Sequence, residues 1–263
     1  MDAPLIDLMG LELVAWDQEQ LIAHVMDELD AGHGGWIVTA NLDFLRRFRK
    51  DPETRRLYEQ ADLRIADGMP LVWASRLQGE RLPSRIAGST LAVRLAREAA
   101  LRERSIYLLG GQDGAAEQAS RILSANSPGL RVAGFAEPFI GNPPSSDELT
   151  EMEGLLRRAQ PDLLLAGFGT PKQERVLAHL RRVFPKMWMV GVGGTFNFIA
   201  GRVRRAPTWL QNSGLEWVHR LAQEPRRLAK RYLLEDLPFS AELFASALVR
   251  RRARDSTSGP SRR

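Results

Sequence analysis

The 263-residue sequence contains no cysteine, which excludes disulfides and thiolate metal sites. Its four histidines, at 24, 33, 179 and 219, show no metal-ligand spacing. No run approaches the roughly eighteen apolar residues that a membrane-spanning helix needs. The start, MDAPLIDLMG, is acidic and carries no signal-peptide pattern, so a cytoplasmic location is expected. There is no D-x-D pair to hold Mg²⁺, and the absence of G-x-S-x-G counts against a hydrolase. Lysine is scarce, 4 against 33 arginines, although such a bias can record only a GC-rich genome.

Hydrophobic residues make up 44% and charged residues 26%, an ordinary balance for a globular protein with one good-sized core. The net charge of +5 is uneven: residues 202–263 carry a balance of +8, and the preceding 201 residues one of −3. An anionic partner is expected at the C-terminal quarter: nucleic acid, an anionic membrane or a phosphorylated substrate.

Short apolar runs alternate with helical patterns. Leu11–Trp16 reads as a strand, followed by a helix from Asp17 to Leu29 with apolar residues recurring at three and four. Trp36–Val38 forms a buried strand that runs into Thr39, Ala40 and Asn41. Asn41 can line a ligand site at the strand's C-terminal edge or cap the next helix. A brief strand over Leu63–Ile65 delivers Asp67 and Gly68, where the carboxylate can flank a pocket or simply shape a turn. Arg85, before Gly88 and a helix start, can hold a phosphate or form a surface ion pair.

Three strand-then-glycine units follow. Ile106–Leu109 leads to Gly110, Gly111 and Gly114; Leu163–Ala166 leads to Gly167 and Gly169; Trp188–Val190 leads to Gly191, Gly193 and Gly194. With a further strand near 131–135, the alternation predicts an α/β fold: a Rossmann-like, mostly parallel sheet covered by helices, with ligands at the C-terminal strand ends. None of the glycine sets matches G-x-G-x-x-G with a distal acid, which argues against a nicotinamide site. In Gly167–Glu174, Thr170 is expected to cap a helix with Pro171 first and Gln173 third, in a capping box.

The stretch from Gly191 to Arg231 joins an apolar strand, a glycine turn and arginine-studded helices, a combination suited to a phosphorylated ligand. Arg220, Arg227 and Arg231 would share one face of an uninterrupted helix, but Pro225 is expected to open a second one. Apolar stripes over 209–221 and 237–249 can dock on the core or lie on a membrane. Three parts are therefore expected: a catalytic core over 1–201, a basic helical appendage over 202–254, and a disordered tail over 255–263.

TANLDF at 39–44, ADG at 66–68, SRIAG at 84–88, GFGTPKQE at 167–174 and the motifs of 191–227 together resemble the WecG/TagA/CpsF glycosyltransferase family over roughly residues 10–235. The resemblance implies an inverting enzyme without an essential metal or other cofactor. Such an enzyme moves a hexosyl group, commonly N-acetylmannosamine or its uronic acid, from a UDP-sugar to a polyprenyl-diphosphate-linked saccharide during surface polysaccharide synthesis. It implies Asp67 as the base. Thr39, Asn41, Arg85 and Gln173, with the Gly169 and Gly193 turns, would line the pocket, and Arg220, Arg226, Arg227 and Arg231 would engage a diphosphate at the membrane. It also implies peripheral attachment to the inner face of the membrane through the C-terminal region, with no nucleic-acid partner. One departure is Asn197, where many members carry an aspartate. The rival readings are an oxidoreductase or methyltransferase on the same sheet, or a nucleic-acid-binding module that uses the basic C-terminus.

Overall fold

The computed structural model describes residues 3–207, 209–210, 214–223 and 225–257, with the side chains of Arg227 and Thr257 outside that description. A hairpin of β1 (Leu5–Leu8) and β2 (Leu11–Val14) precedes the main sheet. The sheet comprises β3 (Gly35–Ala40), β4 (Leu63–Ala66), β5 (Ser105–Gly110), β6 (Arg131–Ala136), β7 (Leu163–Gly167) and β8 (Trp188–Gly191). Their order is β4-β3-β8-β7-β5-β6, and every pairing is parallel. The expected fold class is thus observed, in an all-parallel form. The hairpin strand at Leu5–Leu8 is an addition, since its four residues carry too little pattern to stand out in the sequence.

Side chains alternate along each strand into two apolar layers. Trp36, Val38, Leu164, Ala166 and Met189 enter one; Ile37, Leu163, Leu165, Trp188 and Val190 enter the other. Burial on both faces is why these strands read as continuous apolar runs. Helices α1 (Gln18–Asp30), α5 (Gly88–Leu101) and α6 (Ala115–Asn126) cover the second layer. The first is covered by α2 (Leu42–Lys50), α3 (Pro52–Tyr58), α4 (Met69–Leu77), α7 (Ser146–Ala159) and α8 (Lys172–Val183). A short helix, α9 (Thr195–Ile199), follows the last strand.

The C-terminal part continues as α10 (Glu216–Gln223), α11 (Pro225–Ala229), a π-helical segment over Lys230–Asp236, and α12 (Leu237–Thr257). The break expected before Pro225 falls at residue 224, outside the described residues. Phe239, Leu243 and Ala247 of α12 are buried in the first apolar layer, so this stripe docks on the core. Residues 255–257, expected in a structureless tail, continue α12, and 258–263 lie outside the described residues.

Candidate active site

The C-terminal ends of β3, β4, β7 and β8 converge on one edge of the sheet. Thr39, next to last in β3, donates its hydroxyl hydrogen to the Gly191 carbonyl at the tip of β8 (2.9 Å). Asn41 accepts from the Phe44 N–H (3.1 Å) and so caps α2, while its Cα and Cβ lie beside Gly68. Of the two roles open to Asn41 in the sequence, the helix cap is formed, and it stands beside the turn that follows Asp67.

Asp67 leaves β4 with its backbone N–H bonded to the Ala40 carbonyl (2.7 Å). Its carboxylate turns to the start of α5, where the Gly88 N–H donates to it. A methyl group at Gly88 would lie 3.6 Å from Asp67 Oδ2 and 3.6 Å from Thr39 Oγ1, so hydroxyl, carboxylate and helix start are close neighbours. Asp67 keeps a partial opening to solvent while protein packs densely around it. This burial pushes its carboxyl up to about 7 against the pull of Arg85, the Gly88 N–H and Arg220, and with help from the negative charge of Glu216. Such a carboxyl can take up and release a proton near neutrality.

Arg85 pairs with Glu216 of α10 (2.7 Å), with both side chains largely buried. The ion pair foreseen for Arg85 is therefore internal, and it ties the C-terminal part to the Asp67 pocket. Arg220, one turn beyond Glu216, lies over the Phe198 ring of α9 at 5.6 Å, and its buried Nε has no hydrogen-bond partner.

Gln173 is 4% exposed, and its amide is spent internally. Its Oε1 accepts from the Gly193 N–H (2.9 Å) and its Nε2 donates to Glu174 (3.1 Å), so it braces the turn after β8. Gly193 and Gly169 adopt φ of +54° and +76° and face open space. The capping box expected at Thr170 is not formed. The Thr170 hydroxyl donates to Glu174 Oε1 (3.1 Å), and α8 begins without a side-chain cap. The helix starts one residue later than expected, at Lys172 with Pro171 in the cap position, so Thr170 stands outside it. Burial pushes Glu174 itself up to about 7, and its Oε2 has no partner.

The remaining arginines separate. Arg231 lies 3.5 Å from Asp236 and 3.9 Å from Asp43, inside a network in which Arg46 binds Asp43 (2.5 Å), Glu235 (2.6 Å) and Asp236 (3.2 Å). Arg226 is exposed, and the side chain of Arg227 lies outside the described residues. Asn197 is half-buried beside the fully buried Phe196. Three contributors were not singled out in the sequence: Glu216, the Gly88 N–H and Glu137. Glu216 had a signal in its spacing of four from Arg220. Glu137 had none, because only the fold brings it onto the start of α6, where it accepts from the Gly114 (2.7 Å) and Ala116 (2.5 Å) N–H groups. The chain's own carboxylate thus covers the glycine turn after β5. Two surface depressions, of about 380 and 310 Å³, lie at the opposite end of α4 and include none of these residues.

The model of the glycosyl transferase WecG/TagA/CpsF family matches residues 6–253. Among the chain's relatives is an N-acetylglucosaminyldiphosphoundecaprenol N-acetyl-beta-D-mannosaminyltransferase of Bacillus subtilis strain 168, 30% identical over 76% of this chain and 75% of the relative. A protein of the same name from Bacillus spizizenii strain W23 is 28% identical over 82% of each chain. This match over nearly the whole chain makes the protein a glycosyltransferase: it belongs to the WecG/TagA/CpsF family.

Proposed function

We propose that the chain transfers N-acetylmannosamine, or a closely related hexose, from a UDP-sugar to N-acetylglucosamine on a polyprenyl diphosphate, with inversion, in surface-polymer synthesis. The observation that carries this reading is the carboxyl of Asp67, held up to about 7 at the tip of β4 beside Thr39, Gly88 and Arg85. As the acceptor hydroxyl oxygen bonds to the anomeric carbon, its proton passes to the ionised Asp67. The bond from that carbon to the diphosphate oxygen breaks, and UDP departs with the electron pair. Charge growing on the leaving diphosphate calls for cations and N–H dipoles. Arg220, the exposed Arg226 and the open Gly169 turn supply candidates, and they support a transfer that needs no resident metal.

Attachment to an anionic membrane is the second part of the reading. Among the described residues no helix is long and apolar enough to cross a bilayer. The C-terminal part nevertheless leaves Trp209, Leu215, Trp217, Val218, Leu233, Leu234 and Leu237 exposed among arginines. An apolar surface with cations favours the interfacial plane, where a lipid-linked acceptor lies.

Thermal stabilisation by a ligand panel tests the donor. UDP and UDP-N-acetylmannosamine at one hundred times their dissociation constants should stabilise the fold by about 2.7 kcal/mol. NAD and S-adenosylmethionine should do nothing. No response to any uridine nucleotide, with an acceptor analogue and anionic lipid also present, would remove the UDP-sugar reading.

A further inference from the structure

We propose that Glu216 is a positioning residue for transfer: its ion pair with Arg85 fixes α10 across the strand tips and so delivers Arg220 to the Asp67 pocket. The proposal rests on reading Asp67 as the base. Helix α10 spans eight residues, Glu216–Gln223, and none of them is buried. A surface helix normally owes its place to an apolar face packed on the core. Here the faces are reversed. Trp217 and Val218 are exposed, while Glu216 and Arg220, four residues apart and so on one side, turn towards the pocket.

The polar side therefore holds the helix. Gly214, just before α10, sits against the Trp73 ring and Met69, which fixes where the chain enters. The rotation of α10 is then set by Glu216 on Arg85 (2.7 Å), with side-chain exposures of 17% and 15%. At its far end Gln223 Nε2 donates to the Arg204 carbonyl (3.0 Å). Arg85 is itself fixed by the core through SRIAG, where the Ile86 N–H bonds to the Ala66 carbonyl (2.9 Å), one residue before Asp67. The ion pair thus joins the loop next to the base to the helix that carries Arg220. The guanidinium of Arg220, over Phe198 with an unpartnered Nε, is left to meet charge arising in the pocket.

The groups facing Asp67 are Arg85, the Gly88 N–H, Glu216 and Arg220, and Glu216 alone among them disfavours the ionised carboxylate. Loss of its charge should move the acid limb of the rate profile to lower pH.

The experiment measures kcat, donor KM and pH profiles for the wild type, Glu216→Gln, Arg220→Gln and the double variant, using UDP-N-acetylmannosamine and a lipid-linked N-acetylglucosamine. Amide exchange across 216–223 is followed in the same proteins. Glu216→Gln should lower kcat about ten- to a hundredfold, the scale for partners that hold an active group in place. Adding Arg220→Gln should cost little more, because the first change has already displaced that arginine. Glu216→Asp should recover part of the rate, and exchange in α10 should rise in Glu216→Gln. Losses that multiply independently or unchanged exchange would each overturn the proposal. Asp67→Asn, run alongside, separates the two readings. Normal turnover in that variant removes the base but leaves the coupling of 216 and 220 and the exchange result to be read on their own.

Discussion

At the scale of single residues, Asp67 carries opposite demands. As the proposed base it must be ionised, yet burial holds its carboxyl up to about 7. Activity should therefore rise with pH through about 7 and level off above it, with kcat/KM against pH as the measurement. Asp67→Asn should lose roughly 10²- to 10⁴-fold in kcat while retaining donor binding by calorimetry. Stability runs the other way. Between the ordinary carboxylate range and about 7, the folded state holds protons at Asp67 and Glu174 that the unfolded chain has released. Stability must then fall as pH rises through that window. Asp67→Asn and Glu174→Gln should each flatten this fall in denaturant melts at pH 5 and pH 8.

At the scale of elements, close approach and docking decide the geometry. Gly167 closes β7 against Phe196, and a methyl group there would lie 2.7 Å from the ring and 3.0 Å from the Gly193 carbonyl. Because Phe196 is 1% exposed and has nowhere to move, Gly167→Ala should cost about 1–3 kcal/mol and disturb the turn after β8. Helix α12 belongs to the core through Phe239 and Leu243, so Leu243→Ala should cost about 2–5 kcal/mol in a urea melt. Removal of residues 236–263 would strip buried surface from the first apolar layer. Surface substitutions are consequently the cleaner test of membrane attachment.

For the whole molecule, the charge asymmetry read from the chain takes a definite form. Arg231, Arg250 and Arg254 meet Asp43, Asp7 and Glu80 of the preceding chain, while Arg85 and Arg46 take Glu216, Glu235 and Asp236 in return, so these pairs leave the C-terminal surplus in place. Among the described residues of 209–237, Trp209, Trp217, Leu233 and Leu234 face outward with Arg226 and Lys230. Each arginine near an anionic leaflet gains about 1 kcal/mol, so sedimentation with anionic vesicles should fall as salt rises. Trp217→Ser with Leu234→Ser should weaken it at constant salt. Binding to neutral vesicles that matches binding to anionic ones would remove the electrostatic part of this reading.

The period of apolar residues, the strand-then-glycine spacing and the order of the five motifs determined the α/β class, the strands of the main sheet and the edge where the candidate site lies. Those signals are local: a strand buried on both faces must be apolar throughout, and a tight turn at its tip favours glycine. The resemblance to the family also marked Asp67, Thr39, Asn41 and Arg85 as members of one candidate site. Only the tertiary structure decided what each group does with its hydrogen bonds. It turned Gln173 inward to Gly193, placed Glu216 on Arg85 across 131 positions, and committed Arg231 to acids on α2 and the π-helical segment. The physical reason is that burial, ion pairing and the pKa of a carboxyl depend on which groups from distant parts of the chain arrive within a few ångströms, and no local pattern records that.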